Sequence, residues 1–231
     1  MATRWGGLLV FLAAASLAQA KEPELTVLAM GDSTTAGAPG FRSPVEAPPN
    51  GKGNPQSQYT YWAAKSLPNL RFLNRGVSGE RTDQIFKRLK GDLKTLRPNV
   101  VILLAGVNDL FQDYPSEQIE EKLDKMYRFA HEQKISLIAC SIIPYNGMSS
   151  YDYQRMWEVN GWIEKRSREL GIGFCDLFSV MEDPAHPSRL ISTSDGLHPD
   201  VDGYRRMGET VAECLKMTVI FSREAPDPQE S

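Results

Sequence analysis

Five short, nearly continuous apolar segments alternate along the chain with longer segments of helical periodicity, and this alternation constrains the fold more than any other feature. The apolar segments are Leu25–Met30, Leu70–Asn74, Val100–Ala105, Ser136–Ile143 and Gly173–Leu177. Short apolar runs of this kind are typical of strands that are covered on both faces. Strands that alternate with helices predict a doubly wound parallel sheet with helices on both sides.

Amphipathic segments between the strands supply the predicted helices. Thr82 and Ser116 are expected to cap two of them, and a third runs roughly from Tyr151 to Leu170. The last helix follows Pro199, a residue type that is favoured in the first helical turn. In open α/β sheets, ligands bind at the carboxyl ends of the strands, so the functional residues are expected in the loops that follow them.

The N-terminus has the layout of a secretory signal peptide. Arg4 precedes an apolar run from Leu8 to Leu17, and the small-residue ending Ala18-Gln19-Ala20 comes before charged residues. The run is too short to cross a bilayer comfortably. We therefore expect cleavage after Ala20 and a secreted or periplasmic protein; the alternative is an ordinary buried N-terminal helix.

The remaining chain is predicted to form one domain. Residues 21–217 are long enough to bury a full core, whereas residues 218–231 are expected to be a disordered tail. The formal net charge is −3 and no basic stripe is present, which argues against nucleic acid as the main partner. No later segment is long and apolar enough to predict a transmembrane helix. The sequence does not predict an oligomeric state.

The three cysteines predict neither a metal site nor a disulfide framework. Cys140 and Cys175 lie in apolar strand segments, and Cys214 lies on the inner face of the last helix. An odd number leaves at least one cysteine unpaired, and we expect buried free thiols rather than an essential disulfide. No cysteine has a metal-ligand spacing to a histidine or to another cysteine.

Four short motifs carry the residue types that acyl transfer through a serine requires. They are Gly31-Asp32-Ser33, Asn74-Arg75-Gly76-Val77-Ser78-Gly79, Gly106-Val107-Asn108-Asp109 and Asp195-Gly196-Leu197-His198-Pro199. A nucleophilic serine needs a base, a carboxylate that orients the base, and donors for the developing oxyanion. Ser33 is the candidate nucleophile, with His198 as the base and Asp195 as its carboxylate. The candidate donors are the backbone N–H groups of Ser33 and Gly76 and the side chain of Asn108, and the glycine would let the backbone approach the substrate.

These motifs resemble those of the SGNH hydrolase superfamily, also called GDSL esterases and lipases, over essentially the whole mature chain. The resemblance implies a catalytic triad of Ser33, His198 and Asp195, and an oxyanion hole formed by Ser33, Gly76 and Asn108. The residue after Ser33 is Thr34, where the family name implies leucine. Together with the strand pattern, the resemblance predicts a flavodoxin-like three-layer α/β/α sandwich with a five-stranded parallel sheet. It implies hydrolysis of a carboxylic ester through an acyl-enzyme, without a metal or organic cofactor.

The resemblance leaves the ester substrate open, whether it is a small molecule or borne on a polymer. Acetyl esters of sugars, aryl esters, lysophospholipids and acyl thioesters are all compatible with it. Two loops, Ala38–Ser57 and Pro144–Tyr153, are expected to rim the crevice, and their hydroxyl and aromatic groups favour short acyl groups. A lysophospholipase or thioesterase would instead need an apolar trough. A catalytically silent binding module is the alternative from another class, since a fold does not determine a function.

A second Asp-x-x-His segment, from Asp183 to His186, means that the spacing alone does not identify the base. The segment after His198 is an amphipathic helix, whereas Pro184 and Pro187 predict an irregular loop around His186. We therefore assign the base to His198 and expect His186 to be solvated. His131 is expected at the surface of a helix.

Four charged residues beside the motifs are interpreted as structural or left open. Asp32 and Asp109 are expected to accept backbone hydrogen bonds. Arg75 and Arg81 could bind an acidic substrate, although solvated arginines are commoner. The absence of a Walker lysine argues against nucleotide binding.

Overall fold

The computed structural model describes residues 25–40 and 54–224, and within the last helix it describes side chains only up to residue 218. Its centre is a five-stranded sheet in the order β2-β1-β3-β4-β5, in which all pairings are parallel. The strands are β1 (Leu25–Gly31), β2 (Leu70–Gly76), β3 (Val100–Leu104), β4 (Ser136–Cys140) and β5 (Gly173–Cys175). This order is that of the flavodoxin-like doubly wound fold, so the predicted fold class is confirmed.

Eight α-helices connect or follow the strands in the described part of the chain. They are α1 (Ser33–Ala36), α2 (Tyr59–Ser66), α3 (Thr82–Leu96), α4 (Val107–Phe111), α5 (Ser116–Glu132), α6 (Ser150–Leu170), α7 (Phe178–Met181) and α8 (Val201–Glu224). Helices α3, α5 and α6 pack on one face of the sheet, and α2 and α8 pack on the other.

The strand residues alternate between two hydrophobic cores, one on each face. Leu28 and Met30 point to the core beneath α3, α5 and α6, whereas Val27 and Ala29 point to the core beneath α2 and α8. All four side chains are fully buried. Because successive strand residues face opposite sides, a strand covered by helices on both faces must be apolar throughout. This explains why the strand segments lack polar alternation.

The bounds of several elements differ from the sequence prediction. Thr82 and Ser116 are the first residues of their helices rather than the caps, which are Arg81 and Pro115. The hydroxyl of Thr82 instead donates to the carboxylate of Asp109 in α4. Helix α8 continues to Glu224, seven residues beyond the predicted end of the domain. The predicted signal peptide, most of the Ala38–Ser57 loop and the last seven residues lie outside the described residues.

The prediction of free thiols was wrong for two of the three cysteines. Cys175 in β5 and Cys214 in α8 form a disulfide, and Cys140 is free and buried. Burial raises the pKa of the Cys140 thiol to about 12, so this group stays protonated near neutral pH. The pairing depends on how α8 packs against β5, and the periodicity of either segment alone does not show that contact. None of the helices in the described ranges has the length and apolarity of a bilayer span.

Candidate active site

Ser33 lies in a tight turn that leads directly from the carboxyl end of β1 into α1. Asp32 caps this short helix, because its Oδ1 accepts a hydrogen bond from the Thr34 N–H at 3.0 Å. Three side chains from other elements donate to the carbonyl groups that follow: Asn74 to Thr35, Gln58 to Ala36, and Tyr204 to Ala38. These contacts hold the serine at the sheet edge despite the shortness of its helix.

The structure brings Ser33, His198 and Asp195 into one hydrogen-bonded chain, although 165 residues separate the serine from the histidine. His198 Nε2 lies 3.0 Å from Ser33 Oγ, and His198 Nδ1 lies 2.8 Å from Asp195 Oδ2. The other carboxylate oxygen, Oδ1, accepts hydrogen bonds from the backbone N–H groups of Leu197 and His198. An imidazole held in this way presents one nitrogen to the serine hydroxyl and the other to a carboxylate.

The surroundings of Asp195 keep its carboxylate ionised. Burial alone would raise the pKa of Asp195, but the hydrogen bonds from His198 and from the backbone N–H groups outweigh it and lower the pKa to about 2. A negative charge beside Nδ1 favours the tautomer whose proton lies on that nitrogen. The Nε2 lone pair is then free to accept the Ser33 proton.

Asp32, which precedes the serine, has the opposite electrostatic character. Its side chain is buried, and its Oδ2 has no hydrogen-bond partner among the residues that the structure describes. Burial raises the pKa of Asp32 to about 7 against the hydrogen bond from Thr34, and the carboxylates of Asp109 and Glu80 add to the rise.

Asn108 is the second residue of α4, the short helix that follows β3. Strand β3 lies next to β1 in the sheet. Gly106 there has a φ of 119°, and a Cβ atom at this position would come within 2.8 Å of Ile142. Asn108 Nδ2 donates to the carbonyl of Glu80 at 2.9 Å, which leaves its second amide hydrogen for another acceptor. The neighbouring Asp109 accepts from the Thr82 N–H and hydroxyl, in agreement with its predicted structural role.

Gly76 is not placed as the sequence interpretation expected. Its N–H donates to Asn74 Oδ1 at 2.9 Å, and it does not line the cavity beside Ser33. A Cβ atom at Gly76 would lie 2.0 Å from the Ala36 nitrogen, so the missing side chain makes room for α1 rather than for a substrate. Three residues on, Gly79 lines the cavity with a φ of 80°, and its N–H has no hydrogen-bond acceptor in the described structure.

A cavity of about 220 Å³ opens over Ser33 and His198. Its apolar lining consists of Val107, Phe111, Ile143, Tyr145 and Leu197. Its polar lining consists of Ser33, Thr34, Ser78, Gly79, Asn108 and His198. Apart from the motif residues and Thr34, only Tyr145 belongs to a segment that the sequence predicted at the crevice, the Pro144–Tyr153 loop. The apolar residues come from three separate segments, namely α4, the loop after β4 and the loop before α8, and no sequence pattern links them.

The remaining candidates lie away from this cavity. Arg75 forms a bidentate ion pair with Asp92, and Arg81 contacts Asp83 and the ring of Tyr114. His131 is exposed on α5, as predicted. In the described ranges, no three histidine, cysteine or acidic side chains are grouped as a metal ion would require.

The family model of the GDSL-like lipase/acylhydrolase family matches residues 29–206, which include all four motifs. The chain belongs to this family. It is therefore a hydrolase of the esterase and lipase type, and the predicted family is confirmed. A comparison with curated protein sequences gave no match.

Solved structures share the fold of this GDSL hydrolase. A member of the lipolytic G-D-S-L family from Veillonella parvula is 21% identical with a TM-score of 0.69, over 82% of this chain and 97% of that one. A GDSL-like lipase from Bacteroides thetaiotaomicron is 23% identical with a TM-score of 0.66, over 83% and 88%. An acetyl xylan esterase is 18% identical with a TM-score of 0.65, over 83% and 100%.

Proposed function

We propose that the protein is an exported serine esterase that hydrolyses carboxylic esters through an acyl-enzyme. The observation that carries the proposal is the continuous chain of hydrogen bonds from Ser33 Oγ through His198 to Asp195. Ser33 Oγ attacks the ester carbonyl carbon while His198 Nε2 takes its proton, and His198 then returns the proton to the departing alcohol. Water, deprotonated by His198, attacks the acyl-enzyme and releases the carboxylic acid and free Ser33.

The oxyanion of each tetrahedral intermediate needs preorganised donors on the far side of the carbonyl. We assign this role to the Ser33 N–H, the second amide hydrogen of Asn108 and a glycine N–H from the loop after β2. The structure favours Gly79 over the predicted Gly76, because Gly79 lines the cavity and the Gly76 N–H is bound to Asn74. All three donors follow the carboxyl ends of adjacent strands.

The size of the cavity supports a short acyl group. Its volume of about 220 Å³ lies below the ~300–1,000 Å³ that is usual for drug-sized ligands, and corresponds to roughly seven water molecules of liquid. An acyl group of a few carbons fits that space. The exposed positions of Phe111 and Leu197 support a second candidate, a lysophospholipase or thioesterase whose longer chain would continue over these side chains.

Export is supported by two independent features. The N-terminal pattern is that of a signal peptide, and the Cys175–Cys214 disulfide is typical of oxidising compartments.

Hydrolysis of p-nitrophenyl esters from acetyl to dodecanoyl tests the mechanism and the chain length together. Ser33→Ala is expected to abolish turnover and fluorophosphonate labelling, while the exposed Ser179→Ala keeps both. Each buried methylene contributes ~0.8 kcal/mol, so kcat/KM is expected to rise about fourfold per carbon and to level off within a few carbons. A continued rise beyond octanoyl would favour the longer-chain candidate. Full activity of Ser33→Ala would contradict the mechanism, and a folded wild-type protein without labelling would favour the silent binding module.

A further inference from the structure

The side chain of Arg88, on α3 beneath the loop after β2, contacts the chain segments that carry two of the three proposed oxyanion donors, Ser33 and Gly79. Its Nη2 donates to the carbonyl of Gly31 at 3.1 Å, two residues before Ser33. Its Nη1 donates to the carbonyl of Arg75 at the end of β2. One guanidinium therefore bridges the carboxyl ends of two adjacent strands.

The same guanidinium also holds the loop that contains Gly79. Arg88 Nη2 and Nε lie 2.6 and 3.0 Å from Glu80 Oε2, and both side chains are largely shielded from solvent. Glu80 directly follows Gly79, and its own carbonyl accepts the hydrogen bond from Asn108 Nδ2. The position of Glu80 thus sets both the glycine N–H and the orientation of the Asn108 amide.

We propose that Arg88 is a positioning residue for the oxyanion hole: it holds the segments that carry the Ser33 and Gly79 donors in one arrangement and, through Glu80, orients the Asn108 amide. This proposal rests on the serine esterase mechanism above. The planar guanidinium presents five N–H donors in a fixed fork, so it can bind two carbonyls and a carboxylate at once. A lysine ammonium at this position keeps the charge but not that geometry.

A second arginine of the chain, Arg166, offers a matched control for the Arg88 ion pair. The side chains of Arg88 and Arg166 are each 18% exposed, and both pair with carboxylates. The Arg166 partners are Asp124 and Glu169, and the arginine contacts no backbone carbonyl near the cavity. Substitution of Arg166 therefore removes a similar ion pair without touching the proposed oxyanion hole.

The test compares Arg88→Gln, Arg88→Lys and Arg166→Gln, with active sites counted by the end point of fluorophosphonate labelling. We expect Arg88→Gln to lower kcat per active site about 10- to 100-fold with little change in KM, because the oxyanion forms only in the transition state. Arg88→Lys is expected to be intermediate, and Arg166→Gln to retain wild-type kcat. The affinity for a trifluoromethyl ketone, which mimics the tetrahedral intermediate, is expected to fall by the same factor as kcat/KM.

A double-mutant cycle separates positioning from a general loss of structure. Once Asn108→Ala has removed one donor, Arg88→Gln should cost much less than it does in the wild type, because both changes act on the same hole. Additive losses with unchanged ketone affinity, or a wild-type kcat in Arg88→Gln, would overturn the proposal. If Arg88→Gln does not fold, Arg88→Lys and Glu80→Gln carry the same cycle. Full activity of Ser33→Ala would instead refute the esterase mechanism itself.

Discussion

The two Asp-x-x-His segments of this chain form the same local hydrogen bond but face different surroundings. In both, the histidine Nδ1 bonds the aspartate Oδ2, at 2.8 Å for His198 and at 2.9 Å for His186. Both histidines lie in the loop between α7 and α8, but the His198 side chain is 21% exposed and its Nε2 faces Ser33, whereas the His186 side chain is 63% exposed.

The difference shows that an Asp–His pair is a local structure, whereas a nucleophile for it comes from the topology of the sheet. Three residues of chain suffice to bring a carboxylate to an imidazole. Only the packing of α8 against α2 and that face of the sheet brings His198 to a serine that is 165 residues away. The Asp-x-x-His spacing alone matches both pairs. Only the pair of Asp195 and His198 lies at the sheet edge that carries Ser33.

Replacement of the two histidines tests this distinction most strongly. His198→Ala removes the proposed base, and we expect kcat to fall by a factor of about 10⁴ to 10⁶, as happens when a serine hydrolase triad loses its histidine. His186→Ala is expected to stay within twofold of the wild type. Hydrolysis of a p-nitrophenyl ester, normalised to folded protein, measures both. Comparable losses in the two variants would mean that the second pair also serves the reaction.

The two aspartates give the next largest contrast. Asp195→Asn keeps the shape of the side chain but removes the charge that orients His198, so kcat is expected to fall about 10⁴-fold. Asp183→Asn is expected to change kcat little, because His186 faces no nucleophile. Because the pKa of Asp195 is about 2, its carboxylate remains ionised through mildly acidic conditions. A loss of wild-type activity between pH 4 and 7 would therefore not come from protonation of Asp195, and His186→Ala should leave that loss unchanged.

The sequence predicted the fold and the local pairs better than the contacts between distant elements. The apolar strand segments and the helix after Pro199 are visible as patterns within a few residues of chain. The sequence does not show what Gly76 makes room for, since a missing side chain can admit either a substrate or a packed neighbour, and the neighbour found there is Ala36. Arg88 carries no sequence signal, since its role depends on carbonyl groups at Gly31 and Arg75.

The disulfide closes a loop that contains both Asp-x-x-His segments. Cys214 lies in α8, which begins three residues after His198, and its partner Cys175 is 39 residues away in sequence. Removal of the bond by Cys175→Ala with Cys214→Ala is expected to cost ~4 kcal/mol of unfolding free energy, mainly because the unfolded chain becomes freer. Urea unfolding measures this, with Cys140→Ala as the control for loss of one buried sulfur. Identical unfolding of the oxidised and reduced wild type would contradict the prediction.

Asp32, the aspartate beside Ser33, differs from Asp183 in the direction of its pKa shift. The pKa of Asp183 is lowered by its hydrogen bond from His186, whereas burial raises that of Asp32 to about 7. Between the ordinary pKa of about 3.9 and this raised value, the unfolded chain loses the Asp32 proton and the folded protein keeps it. Folding stability is therefore lost as the pH rises through this window, and the loss is constant above it.

Asp32→Asn keeps an oxygen that can accept from the Thr34 N–H but cannot ionise, so it should remove this pH dependence. Relative to the wild type, we expect the variant to gain about 2–4 kcal/mol between pH 4 and pH 8, measured by urea unfolding at both values. Asp183→Asn provides the control of opposite sign. A carboxylate with a lowered pKa stabilises the folded protein above its unfolded pKa, and that stabilisation is lost as the pH falls. If the pH dependence of stability is the same in Asp32→Asn and in the wild type, folding does not shift the pKa of Asp32, and the prediction is contradicted.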